Sequence, residues 1–186
     1  MSNNLQITLA TLILLLGSIT QPYADQRPAL ENAVSTYRLG PGDKITIQVY
    51  GEPDMSLEAR LTDAGTFFHP LLGEIRAVDM TIGDLSALLV TEIKDRYLVD
   101  PKVSVNIVEY REFYINGEVQ KPGAYHYEPG LTVYKAVSVA GGFTQRASRT
   151  SINLIADKDP THTPQEVELN APVNPGDIVT IEESFF

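Results

Sequence analysis

Hydrophobic positions alternate with polar ones over Lys44–Tyr50, placing Ile45, Ile47 and Val49 on one face of a predicted strand. Gly51-Glu52-Pro53-Asp54 breaks it, and Leu57, Ala59 and Leu61 resume the alternation over Ser56–Leu61. Asp63-Ala64-Gly65 reads as a hairpin turn into Thr66-Phe67-Phe68, and another turn over Pro70–Gly73 leads to a short strand over Glu74–Val78. The period then changes. Ile82, Leu85, Leu88, Leu89 and Ile93 recur at helical spacing, so a helix is predicted from Thr81 to Tyr97, with its apolar stripe facing a core. Thr81 and Asp84 stand at capping-box spacing. Val103, Val105 and Ile107 mark a further strand.

A second series follows a natural cut near Tyr110–Glu112. Phe113, Ile115 and Gly117 begin an extended stretch, Lys121-Pro122-Gly123 turns it, and Ala124–Tyr127 returns. A second helix is predicted over Thr132–Ala140, with Val133, Ala136, Val137 and Ala140 on one face and Gly141-Gly142 as its C-cap. Ser151–Ile155 and Glu166–Leu169 are predicted strands, separated by a polar loop over Asp157–Gln165. The fold class is therefore α+β, in two small modules that pack together.

Pro-Gly-Asp opens the first strand and the last. Pro41-Gly42-Asp43 leads into Lys44-Ile45-Thr46-Ile47, and Pro175-Gly176-Asp177 leads into Ile178-Val179-Thr180-Ile181. Proline presets φ at the second turn position and glycine supplies the positive φ of a type II turn at the third. Both aspartates stand where a short acceptor can hold the turn, so the copies are expected to play equivalent structural roles.

Composition narrows the function classes. The net charge of −10 argues against unaided nucleic-acid binding, which needs a positive patch. The chain has no cysteine, which removes disulfides and thiolate chemistry. Residues 1–24 carry no charged side chain, and the apolar run within them is too short to span a membrane; they read as a secretory signal peptide. Residues 25–36 read as a linker.

Chemistry is sparse. His69, His126 and His162 are far apart and read as surface or packing residues. Glu182 and Glu183 point to opposite faces of a strand. No nucleophile elbow or phosphate cradle occurs, so neither catalysis nor a cofactor is expected. Aromatic rings that stack on sugar faces are the better candidates. Tyr110, Tyr114, Tyr125, Tyr127 and Tyr134 cluster in the second module and its entry. Tyr125 and Tyr127 are expected to share a strand face; they form either a sugar-contacting patch or the filling of a core or subunit seam. Arg111, Arg146 and Arg149 read as exposed, available to an acidic polymer or to a neighbour's carboxylates.

The run Gly117-Glu118-Val119-Gln120-Lys121-Pro122-Gly123-Ala124-Tyr125, then Leu131-Thr132-Val133, Ala136-Val137 and Ala140-Gly141-Gly142-Phe143-Thr144, resembles the soluble-ligand-binding β-grasp (SLBB) module. Tyr37-Arg38-Leu39-Gly40-Pro41-Gly42-Asp43, with Gly65, Pro70, Leu72, Gly73 and Ile75, is similar to the opening of a polysaccharide export domain. The resemblance implies a polysaccharide export domain over 37–110 and an SLBB domain over 111–186. It also implies a non-catalytic oligomeric ring that passes capsular or exopolysaccharide from the periplasm across the outer membrane, with an inner-membrane chain-length regulator among its partners. Longer relatives carry a lipidated cysteine and a C-terminal pore helix. This chain has neither motif, so a short form docking on a separate outer-membrane β-barrel is expected. The alternative is a periplasmic module that binds a sugar or other small ligand as a monomer.

Overall fold

Alternation in β1 (Lys44–Val49) is realised as a buried face of Ile45, Ile47 and Val49 and an outward face of Thr46 and Gln48. The computed structural model describes residues 36–184. The predicted signal peptide, nearly all of the predicted linker and the terminal Phe185-Phe186 lie outside the described residues. β1 is the middle strand of an antiparallel sheet, between β2 (Leu57–Arg60) and β5 (Val103–Glu109). β3 (Thr66–His69) and β4 (Gly73–Arg76) form a separate hairpin, with Phe67 opposite Ile75 and both buried.

Helix α1 (Ile82–Arg96) begins at a complete capping box. The Asp84 backbone N–H donates to Thr81 Oγ1 (3.1 Å), and the Thr81 N–H donates to Asp84 Oδ2 (3.2 Å). These bonds hold the exposed Asp84 carboxyl below its usual pKa. Leu85 and Leu89 join the same core as Ile45, Ile47, Phe67 and Val105, with Ile82 and Leu88 packed at its edge. Ser86 Oγ donates to the Val103 carbonyl (2.8 Å), fixing α1 against β5.

The second module is a five-stranded sheet in the order β7-β6-β10-β8-β9, crossed by helix α2 (Val133–Val139). Its strands are β6 (Phe113–Gly117), β7 (Gly123–Tyr125), β8 (Ala147–Ile155), β9 (Gln165–Glu166) and β10 (Ile178–Glu183). β6 and β10, the first and last strands, lie side by side in parallel; every other pairing is antiparallel. This is the β-grasp arrangement. Phe113, Ile115, Val133, Ala136, Ile152, Val179 and Ile181 form its core, and each fully buried large side chain contributes about 1.5–3 kcal/mol.

β4 and β7 each end two residues before the expected Val78 and Tyr127, and β8 and β9 depart further from the sequence reading. β8 begins at Ala147, earlier than the expected Ser151. The strand expected over Glu166–Leu169 is reduced to Gln165–Glu166. The physical reason lies in α2. The first N–H groups of a helix have no partner inside it. Here Val133 N–H donates to the Ala171 carbonyl (3.0 Å) and Tyr134 N–H to the Leu169 carbonyl (2.9 Å), which draws residues 168–171 away from the sheet edge, while Val167 N–H still donates to the Ile152 carbonyl of β8 (2.8 Å).

Candidate functional site

Both Pro-Gly-Asp turns have the same wiring. Asp43 N–H donates to the Gly40 carbonyl and Asp177 N–H to the Asn174 carbonyl, each at 3.2 Å. Gly42 and Gly176 take φ of 89° and 88°, as the third position of a type II turn requires. Each aspartate closes its turn from the other side: Oδ2 accepts the N–H of Gly40, or of Asn174, at 2.8 Å in both cases. Each then uses Oδ1 to hold a backbone N–H beyond the turn. Asp43 takes Arg111 N–H (2.8 Å) and Asp177 takes Asp157 N–H (3.0 Å). Arg111 lies two residues past the end of β5, and Asp157 two residues past the end of β8. Since β5 pairs with β1 and β8 with β10, each aspartate secures the exit of the strand antiparallel to its own.

The two residues so held pair with each other. Arg111 Nη2 lies 2.8 Å from Asp157 Oδ2, and Arg111 Nη1 lies 3.4 Å from Asp43 Oδ2. A series Asp43–Arg111–Asp157–Asp177 thus runs from one module to the other. Gly176 N–H also donates to the Glu112 carbonyl (2.9 Å). The connection is held by the first module at Arg111 and by the second at Glu112. Asp43 and Asp177 are 0% and 2% exposed, and the Arg111 side chain is 12% exposed. Arg111 is therefore not the exposed side chain the sequence suggested. Its partners lie 68 and 46 residues away, where no local pattern reveals them.

Aromatic rings cross the same junction. Tyr37 meets Tyr110 edge-on at 4.9 Å between centroids, and Tyr110 meets Tyr127 at 5.3 Å. Tyr37 Oη donates to Asp43 Oδ2 (2.7 Å) and accepts from Arg111 Nη1 (2.8 Å). Burial pushes the phenols of Tyr37, Tyr110 and Tyr127 above their usual pKa, reinforced at Tyr37 by Asp43. Burial opposes the Arg111 charge, but Tyr37, Asp43 and Asp157 outweigh it and raise its pKa. Arg111 Nε is buried without a hydrogen-bond partner.

A cavity of about 510 Å³ opens beside this junction, lined by Tyr37, Arg38, Arg111, Tyr127 and Lys158 among others. A second, of about 520 Å³, also touches Arg111, with Arg60, Glu109 and Tyr114 in its walls.

The other candidate residues are dispersed. Tyr125 does not form a patch with Tyr127: β7 ends at Tyr125, whose ring stacks on Phe113 (6.0 Å) and whose hydroxyl donates to the Lys121 carbonyl (2.6 Å). Tyr127 turns to Tyr110 instead; the rings of Tyr125 and Tyr127 each pack against the second core. Tyr114 and Tyr134 are exposed. Arg146 is paired with Glu183 across β8 and β10, and exposed Arg149 lies over the Phe143 ring (5.7 Å). The turns at Pro122-Gly123 and Gly141-Gly142 belong to the second module alone; both glycines of the latter are left-handed, and Gly142 N–H donates to the Val137 carbonyl (2.9 Å). His69 is fully buried, its Nδ1 accepting the N–H groups of Leu71 and Leu72 (each 3.3 Å). The sequence reading missed Tyr37, Asp157 and Lys158 as junction residues.

Comparison with known proteins follows the two modules. Residues 31–108 match the family of polysaccharide biosynthesis/export proteins, and residues 113–164 match the SLBB domain. The exopolysaccharide production protein ExoF of Rhizobium meliloti (strain 1021) is 33% identical over 136 residues, which cover 63% of this chain and 32% of ExoF. The polysialic acid transport protein KpsD of Escherichia coli is 25% identical over 91 residues, covering 48% of this chain and 16% of KpsD. The chain thus spans a third or less of the length of these curated relatives.

Proposed function

We propose that this chain, which belongs to the polysaccharide biosynthesis/export protein family and carries an SLBB domain behind its export domain, is a non-catalytic component of polysaccharide export. It acts after secretion, on the periplasmic side of the outer membrane, as a ring of identical copies around the passing capsular or exopolysaccharide. An inner-membrane chain-length regulator and an outer-membrane β-barrel are its expected neighbours. The observation that carries this reading is the succession of the two family matches along one chain, over 31–108 and 113–164. The junction supports it physically. A ring subunit made of two small modules needs a fixed angle between them, and the Asp43–Arg111–Asp157–Asp177 series supplies fixed contacts on both sides of the connection. The uncharged apolar stretch within residues 1–24 supports secretion.

The test combines a deletion with a mass measurement. Removing the gene is expected to abolish surface polysaccharide while polymer accumulates in the periplasm. Light scattering on the purified mature protein is expected to give several multiples of the chain mass. Unchanged surface polysaccharide in the deletion strain, or a monomer in that strain's complemented extract, would contradict the proposal.

A further inference from the structure

The junction cavity has an aromatic wall and a cationic rim. Tyr37 and Tyr127, the two ends of the ring series, both line it. Its carboxylates are already engaged: Asp157 with Arg111, and Asp177 with the Asn174 and Asp157 N–H groups. Its outer cations are less committed. Arg38 donates from Nη1 to the Asp79 carbonyl (2.6 Å), and its charge acts on the nearby Asp84 carboxylate. Lys158 is 59% exposed, and Asp79 Oδ1 is 4.0 Å from its Nζ, at the limit of an ion pair. Arg38 and Lys158 thus stand at the rim of an opening whose remaining charges, Arg111, Asp157 and Asp177, are taken up within the junction.

We propose that the cavity binds a sugar bearing a carboxylate, one residue of an acidic glycan. A volume of about 510 Å³ lies within the roughly 300–1,000 Å³ typical of small-molecule sites. The apolar face of a pyranose stacks on a tyrosine ring, whose hydroxyl is held by the junction. The carboxylate reaches the guanidinium of Arg38 and the ammonium of Lys158, where charge-assisted hydrogen bonds form. This inference rests on the reading above only in that the chain handles a glycan.

The test is a nuclear magnetic resonance titration of the whole chain with glucuronate, glucose and inorganic phosphate at millimolar concentrations. Glucuronate is expected to shift the amides of residues 37, 38, 127 and 158, and to bind at least about tenfold more tightly than glucose, the effect of one charge-assisted contact. Arg38→Ala and Lys158→Ala, both at exposed side chains, are expected to weaken glucuronate binding at least about fivefold with unchanged thermal stability. Absence of glucuronate binding would overturn the proposal, as would glucose binding equally well, phosphate producing the same shifts at the same affinity, or an unaltered affinity in both variants. Failure here leaves the deletion phenotype intact, whereas failure of the export reading leaves glucuronate binding intact.

Discussion

Asp43→Ala is expected to lower the unfolding free energy by about 3–5 kcal/mol, the loss that follows when one partner of a buried ion pair is removed. The carboxylate is fully buried and accepts from four donors: the N–H groups of Gly40 and Arg111, the Tyr37 hydroxyl and Arg111 Nη1. Without it, Arg111 keeps only Asp157, whose side chain is 40% exposed, as an ion partner. Two backbone N–H groups also lose their acceptor. Asp43→Asn is expected to lie between wild type and alanine, because its amide nitrogen must face a donor in place of one oxygen. Breaking the exposed pair of Arg60 and Glu109 with Glu109→Gln provides the contrast, at about 1 kcal/mol or less. Urea denaturation followed by tyrosine fluorescence reads all three; the chain has nine tyrosines and no tryptophan. A loss below about 1 kcal/mol in Asp43→Ala would remove the buried pair from the account.

Gly117→Ala is expected to be as damaging or worse, leaving a second module that does not fold stably. Gly117 ends β6 at φ 79°, and a Cβ there would stand 2.1 Å from the Ile181 carbonyl oxygen. That oxygen cannot retreat. Ile181 pairs with Gly117 on one side and with Ile152 on the other, and its carbonyl accepts the Glu118 N–H (2.9 Å). Gly73 provides a control that separates conformation from contact. Its φ is 80°, yet nothing lies within 4 Å of its Cβ position. Gly73→Ala is expected to cost only about 1–2 kcal/mol, the left-handed penalty, while Gly117→Ala costs at least about 4 kcal/mol. Equal melting temperatures for the two variants would show that the close approach of β6 and β10 contributes nothing.

The elements were legible because their signals are local. The change from alternation at Ile45, Ile47 and Val49 to helical spacing at Leu85, Leu89 and Ile93 tracks the observed β1 and α1, and Thr81 caps α1 as its spacing implied. The sheet edge at 168–171 was not legible, because the orphan N–H groups of a distant helix decide it. The junction was half legible. The repeated Pro-Gly-Asp announced two equivalent turns, but each aspartate's outer partner is set by which strands become neighbours. Arg111 therefore read as an exposed cation, although three groups from two modules enclose it. Tyr125 and Tyr127 do not share a face because β7, and with it the strand alternation, ends at Tyr125.

The central claim is that the two modules behave as one body because the carboxylates of the paired turns hold the backbone on either side of the connection. Native-state hydrogen exchange at the Arg111 and Asp157 amides tests it most directly. These N–H groups have Asp43 Oδ1 and Asp177 Oδ1 as acceptors. Their opening free energies are expected within about 1 kcal/mol of the amides in the middle strands β1 and β10, the range of global unfolding. Exchange at both sites near the unprotected rate, while β1 and β10 stay protected, would contradict it.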